Sequence, residues 1–227
     1  MGKHGDKARE KLMDAAEELF ARHGIDAVSN RTIAEHAGTA NHSAVGYHFG
    51  NREKLLVDLV TRDNAYLRAR RQELREQLPD TPPLQDIVAA HVLPWFEKLA
   101  AQPVPGWRAR FLRQVASTPS VRESLRANQG TPRPDQGDLR LADALSGEHP
   151  ALEDVPEQTL GNRCRLVEGM VLDIAAAYEQ QAAAGTARGD WFSAGYFLID
   201  AASGMLSAPV THPTDFLASP SPSVLSL

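Results

Sequence analysis

The chain is predicted to be all-α. Apolar residues recur at helical spacing in several long segments, and nowhere does apolar–polar alternation last long enough to make a strand. Prolines and glycines cluster between those segments, at Pro79–Pro83, at Pro103 and Pro105, and between Pro119 and Pro156. No internal repeat is present. With 227 residues, 42% of them apolar, the chain can bury a core in one or two compact domains.

The first helix is marked by Leu12, Ala15, Ala16, Leu19 and Phe20, and closes at His23 and Gly24. Two short helices around a tight turn follow. Ile33, Ala34 and Ala37 form one apolar face, Ser29 suits the N-cap, and Gly38 stands where a left-handed backbone lets the chain reverse. Asn41 is placed to cap the next helix, which buries Ala44, Val45 and Phe49. That leaves Asn41, His42, Ser43 and Tyr47 with nothing apolar to do. Short polar and aromatic groups on an outward helix face suit the major groove of DNA, so the pair reads as a helix-turn-helix with its recognition helix second.

A helix opened by Asn51 meets no Pro or Gly before Pro79. It is expected to run about 28 residues, or about 42 Å, with Leu55, Leu56, Leu59, Val60, Tyr66, Leu67, Leu74 and Leu78 along one stripe. Arg68, Arg70, Arg71 and Arg75 read as a solvated face paired with Glu73 and Glu76. The next helix, about Leu84 to Ala101, carries Val88, His91, Val92, Trp95, Phe96 and Leu99, with Pro94 as a kink. Trp107, Phe111, Leu112 and Val115 mark another. From Pro119 to about Pro156 the chain is expected to be irregular around a short helix near Leu139 to Leu145. Two long helices close the fold, about Glu157 to Ala184 and Gly189 to Ser207. Their small residues, Ala175–Ala177 and Ala201–Gly204, allow close helix approach between two copies in a four-helix interface. The Pro- and Ser-rich tail, residues 209–227, lacks an apolar period and is assigned no function.

The net charge of −5 is unevenly spread. Residues 1–78 hold 13 basic against 12 acidic side chains, and residues 79–227 hold 11 against 17. The acidity belongs to the C-terminal part. The single cysteine, Cys164, excludes an intrachain disulfide and reads as a buried small hydrophobe. His36, His42 and His48 are spaced by six with no clustered carboxylate, so no metal site is expected. No nucleophile elbow or Gly-rich phosphate loop is present, so neither an enzyme nor a cofactor is expected. A polar start and the lack of a spanning apolar stretch predict a cytoplasmic protein without membrane contact.

Arg31-Thr32-Ile33-Ala34 leading to Ala37-Gly38, then Tyr47-His48-Phe49-Gly50-Asn51-Arg52-Glu53 leading to Leu55-Leu56, resembles the N-terminal domain of the tetracycline-repressor (TetR) family of bacterial transcription regulators. The resemblance covers roughly the first 60 residues. Two positions depart from its usual pattern: Gly46 stands where an aromatic is common, and Arg52 where a lysine is common. The resemblance implies a DNA-binding domain at residues 1–55, an effector-binding and dimerisation domain at 56–208, and a homodimeric repressor. That repressor would leave a palindromic double-stranded operator when a small molecule binds. It assigns Arg31, Asn41, His42 and Ser43 to bases, and Asn30, Tyr47, His48 and Arg52 to phosphates. It also implies a ligand pocket among Trp95, Phe96, Trp107, Phe111, Met170 and Tyr178, with His91, Gln114 and Glu168 as polar partners. The competing reading is a helical ligand- or protein-binding module with a vestigial DNA reader.

Overall fold

The computed structural model describes residues 3–128, 140–145 and 149–211. Among them the regular elements are all helical: α1 Lys3–His23, α2 Asn30–His36, α3 Ala44–Phe49, α4 Arg52–Val60, α5 Asn64–Glu76, α6 Leu84–Ala100, α7 Arg108–Ser117, α8 Pro119–Asn128, α9 Leu141–Ala144, α10 Glu157–Ala183 and α11 Trp191–Ser207. A 3-10 turn spans Pro150–Leu152. Among the described residues no helix is long and apolar enough to cross a membrane. The tail beyond Thr211, and Pro132, Pro134, Gly137 and Gly147 of the segment expected to be irregular, lie outside the described residues.

The chain divides into two compact units. The first holds α1–α4 together with α7 and α8, and the second holds α5, α6 and α9–α11. The first unit is therefore built from two stretches of sequence, and the boundary expected near residue 55 falls inside α4.

In the first unit, α1 buries Leu12, Met13, Ala16, Leu19 and Phe20 and packs on α2, α4 and α7. The Phe20 and Phe111 rings stack with centroids 6.0 Å apart. The helix α8 was not expected, since Pro119 was read as opening an irregular segment. Proline suits the first turn of a helix, where its missing N–H is not needed. Val121 and Leu125, one turn apart, are buried, and α8 packs on α4 and α7.

The single long helix expected from Asn51 to Leu78 is two helices, with a break at Thr61–Asp63. The break has a cause supplied from a distant part of the chain. In a continuous helix the carbonyls of Leu59 and Val60 would accept from the amides of Asp63 and Asn64. Instead Arg108, only 1% exposed, donates from Nη1 to Leu59 O at 2.7 Å and from Nη2 to Val60 O at 3.3 Å. Thr61 also turns its hydroxyl back onto Val57 O at 2.8 Å, a contact that bends helices. The guanidinium acts as a C-terminal cap supplied from elsewhere in the chain. Its charge is balanced by Glu17, whose Oε2 lies 3.0 Å from Nη1.

In the second unit, α6 packs chiefly on α11, and α10 packs on α11 and α9. Pro94 is buried within α6. The arginine row on α5 differs from its expected role at one position. Arg70 reaches Glu73 and Glu97, but Arg71 is only 1% exposed and donates from Nε to His91 O at 2.9 Å. Arg71 stands four residues after Leu67 and three before Leu74, within the inward stripe. Its stem packs with the core while its head takes a backbone acceptor. Cys164 is buried, as its mid-helix apolar setting predicts.

Candidate nucleic-acid interface

The reader is assembled by caps. Ser29 Oγ accepts from Thr32 N at 3.1 Å to open α2, and Gly38 turns the chain with φ 73°, a conformation that costs glycine little. Asn41 does not cap α3 directly. Its Oδ1 accepts from Ser43 N at 3.0 Å, which makes an Asx turn, and the helix begins only at Ala44. Asn41, His42 and Ser43 therefore sit on the turn leading into α3, all exposed. Asn51 opens α4 by accepting from Lys54 N at 2.7 Å.

The α3 helix divides cleanly between inside and outside. Ala44, Val45 and Phe49 are buried, whereas Tyr47 is 82% exposed. An aromatic ring held out to solvent loses apolar burial. Gly46 faces open space: a Cβ built there meets nothing within 4 Å. Packing inside the unit therefore gives no reason for glycine at this helical position, where it costs about 1 kcal/mol relative to alanine.

The predicted residues fall into two groups. Arg31, Asn41, His42, Ser43 and Tyr47 are exposed on α2, the turn and α3. Glu35 links two of them: Arg31 Nε donates to its Oε1 at 2.8 Å, and His42 Nδ1 lies 3.7 Å from the same oxygen. The hydrogen bond from Arg31 holds the Glu35 carboxyl below the usual carboxylate range. His48 is half-buried, edge-on to Tyr47 with ring centroids 5.0 Å apart, and its Nδ1 has no hydrogen-bond partner.

Asn30 and Arg52 engage each other. Arg52 Nη1 donates to Asn30 Oδ1 at 3.1 Å, Nη2 donates to Ile25 O at 2.5 Å, and the guanidinium lies over the Phe20 ring at 5.0 Å. Burial lowers the Arg52 pKa. This pair pins the start of α2 to α4 and so sets where α2 sits beside α3.

The six residues expected around one ligand pocket are distributed over both units. In the first unit Phe111 is stacked on Phe20, and Trp107 is flanked by Arg22 at 5.6 Å and Arg110 at 4.3 Å. In the second, Phe96 and Tyr178 lie 6.0 and 4.5 Å from Trp191, and Met170 is half-buried. Of the six, Trp95 lines a small internal cavity of about 10 Å³, together with Arg71, His91, Val92, Leu141, Val167, Glu168 and Val171, which is room for one water. His91 Nε2 and Trp95 Nε1 have no hydrogen-bond partner. Burial, with the charges of Arg71 and Arg75 adding to it, holds His91 well below the ordinary histidine range, so the ring is neutral. Burial also raises the Glu168 carboxyl. Of the expected polar partners, His91 and Glu168 line the cavity, and Gln114 lies on α7 in the first unit. Arg71, read from sequence as solvent-facing, also lines it. Its signal was the inward stripe on which it stands.

A family model described as bacterial regulatory proteins of the tetR family matches residues 12–59, the span from α1 through α4. Over that span the chain is similar to the tetR-family pattern. A curated relative, the HTH-type transcriptional repressor AcnR of Corynebacterium efficiens, is 34% identical over 64 residues. That match covers 27% of the present chain and spans about a third (34%) of the relative's length. The crystal structure of NalD, the secondary repressor of the MexAB-OprM multidrug efflux pump in Pseudomonas aeruginosa, aligns over 88% of this chain and 96% of its own. Its TM-score is 0.58 at 18% identity, which shows a shared fold.

Proposed function

We propose that the chain is a homodimeric DNA-binding transcriptional regulator, a repressor that leaves a palindromic operator when a small-molecule effector binds the second unit. The outward face of α3 carries the reading. Tyr47 is held in solvent beside Gly46, with His42 and Ser43 on the approach turn, while α3's other side is buried. Such a face gains from contact with base edges and phosphates in a major groove. Arg31, Asn41, His42 and Ser43 read bases, Tyr47 and His48 contact phosphates, and Asn30 and Arg52 hold α2 in register for both. Repression follows the sense of the relatives' names.

Dimerisation is supported by a second face. Leu166 on α10 and Tyr196 and Phe197 on α11 are 54%, 58% and 62% exposed, with Gly169, Ala177 and Gly204 also exposed. Exposed large apolar residues flanked by small ones suit a helix–helix interface between copies. The effector site is assigned to the core around Arg71, His91 and Trp95, where two buried nitrogens lack partners. Release requires that the effector bind the low-affinity form more tightly.

Selection of random duplex DNA on the purified full chain tests this proposal. Recovery of two inverted half-sites is the expected result. A bound pool with no enriched sequence at moderate salt would refute it.

A further inference from the structure

Several cations of the first unit are already engaged. Arg9 pairs with Asp58, Arg22 with Glu18, Arg31 with Glu35, and Arg62 with Glu10 and Asp14. Lys54 also pairs with Asp58, and Arg108 is spent inside. Lys7 and Lys11 stand apart. Both are exposed on α1, four residues and so one turn apart, and among the described residues no ion pair holds either. They line one groove of about 480 Å³ whose other walls are Ala37–Ala40, Ala44 and His48. Among the described residues no acidic side chain lines it; of the acids on α1 near the two lysines, Asp6 adjoins Lys7 in sequence, and Glu10 and Asp14 turn to Arg62. The His48 ring, on the helix assigned to the major groove, lines the same groove.

Two free ammonium groups and an imidazole along a groove beside the recognition helix are complementary to a phosphodiester strand, whose charges repeat along the backbone. We propose that Lys7 and Lys11, with His48, form a docking groove for the DNA backbone next to the bases that α3 reads, so that α1 contributes affinity without sequence preference. This rests on the DNA-reader assignment above.

The full-length protein and its Lys7→Ala/Lys11→Ala variant are titrated with the selected palindromic duplex by fluorescence anisotropy between about 50 and 200 mM salt. Each phosphate neutralised contributes about 0.9 to the slope of log affinity against log salt. The variant's slope should therefore be shallower by about 1.8 per bound protomer. Its affinity deficit should be about tenfold larger, per protomer, at the low end of that range than at the high end, with the same sequence selected. Arg188→Ala, which removes a charge from an exposed loop of the second unit, should leave the slope unchanged. Equal slopes for variant and parent would overturn the docking groove while leaving the DNA reader intact, and so would an equal loss of slope in Arg188→Ala. If the unaltered protein binds no duplex, both assignments fall.

Discussion

Replacing Arg108 by methionine keeps much of the side chain's length and removes its charge and its donors. In the native chain that guanidinium donates to Leu59 O and Val60 O and lies 3.0 Å from Glu17. Both partners of the ion pair are buried, Glu17 at 7% and Arg108 at 1% exposure. Removing one partner of a buried pair costs about 3–5 kcal/mol, because the remaining charge stays desolvated. Arg62 Nη1 lies 4.0 Å from the same Glu17 oxygen and offsets part of that cost. Val60 O loses its side-chain donor, while Leu59 O keeps the backbone bond from Arg62 N at 3.3 Å; the loss at Val60 O adds to the cost, since a buried acceptor left unmade costs about 1–3 kcal/mol. The expected loss is about 4 kcal/mol, measured as unfolding free energy in urea. The half-exposed pair Arg22–Glu18 has a similar distance, 2.9 Å, and Arg22→Ala should cost less than about 1 kcal/mol. Adding Glu17→Leu to Arg108→Met should restore part of the loss, since no lone charge then remains buried. An Arg108→Met protein within 1 kcal/mol of the parent would refute the reasoning, because burial would then have given this pair no more weight than a surface one.

Gly46→Ala should raise stability by about 1 kcal/mol through helix propensity and yet weaken operator binding; a rise in both would show that the open space at Gly46 has no bearing on DNA. Phe197→Asp should leave the far-ultraviolet circular dichroism unchanged and convert the dimer to monomer at micromolar concentration by light scattering, a result that an unchanged mass would contradict. Burial first, then the charge of Glu168, pushes the Cys164 thiol up to about 12, so a thiol-reactive disulfide reagent at pH 8 should label nothing in the native chain and one group after denaturation. The hydrogen bond from Arg70 holds the Glu97 carboxyl below its ordinary 4.5. A depressed acid stabilises the fold above the unfolded value and loses that contribution as pH falls through the folded one; acid titration followed by circular dichroism should show this loss below about pH 4.5, and Glu97→Gln should flatten it.

The helices α1 to α3 were legible because caps, glycines and apolar spacing all point the same way there. Ser29, Gly38 and Asn51 do in the structure what their chemistry suggests. The last two helices were legible for the same reason, within a few residues at each end. The break at Thr61–Asp63 was not, because its cause is a side chain 45 or more positions away in sequence, and neither Pro nor Gly marks it. At Arg71 charge points outward and position inward: it stands on the Leu67–Leu74 stripe, and an arginine there can bury its head only if a backbone carbonyl is waiting. Within the reader, exposure at Arg31 and Tyr47 followed from the helical period, and His42 is exposed on the turn before α3. The mutual engagement of Asn30 and Arg52 did not, since residues 22 apart in sequence carry no local sign of meeting.

The reader unit is completed by chain that comes long after it. Phe111 supplies the ring against Phe20, and Arg108 closes the end of α4. A fragment cut just after the family match, near residue 62, would therefore leave an aromatic without its partner and two helix-end carbonyls without the Arg108 donors. On a ribosome the first unit could not close until α7 and α8 had emerged, which places its completion after the synthesis of α5 and α6. Any minimal DNA-binding fragment should be designed as two segments joined by a short linker, rather than as a simple truncation.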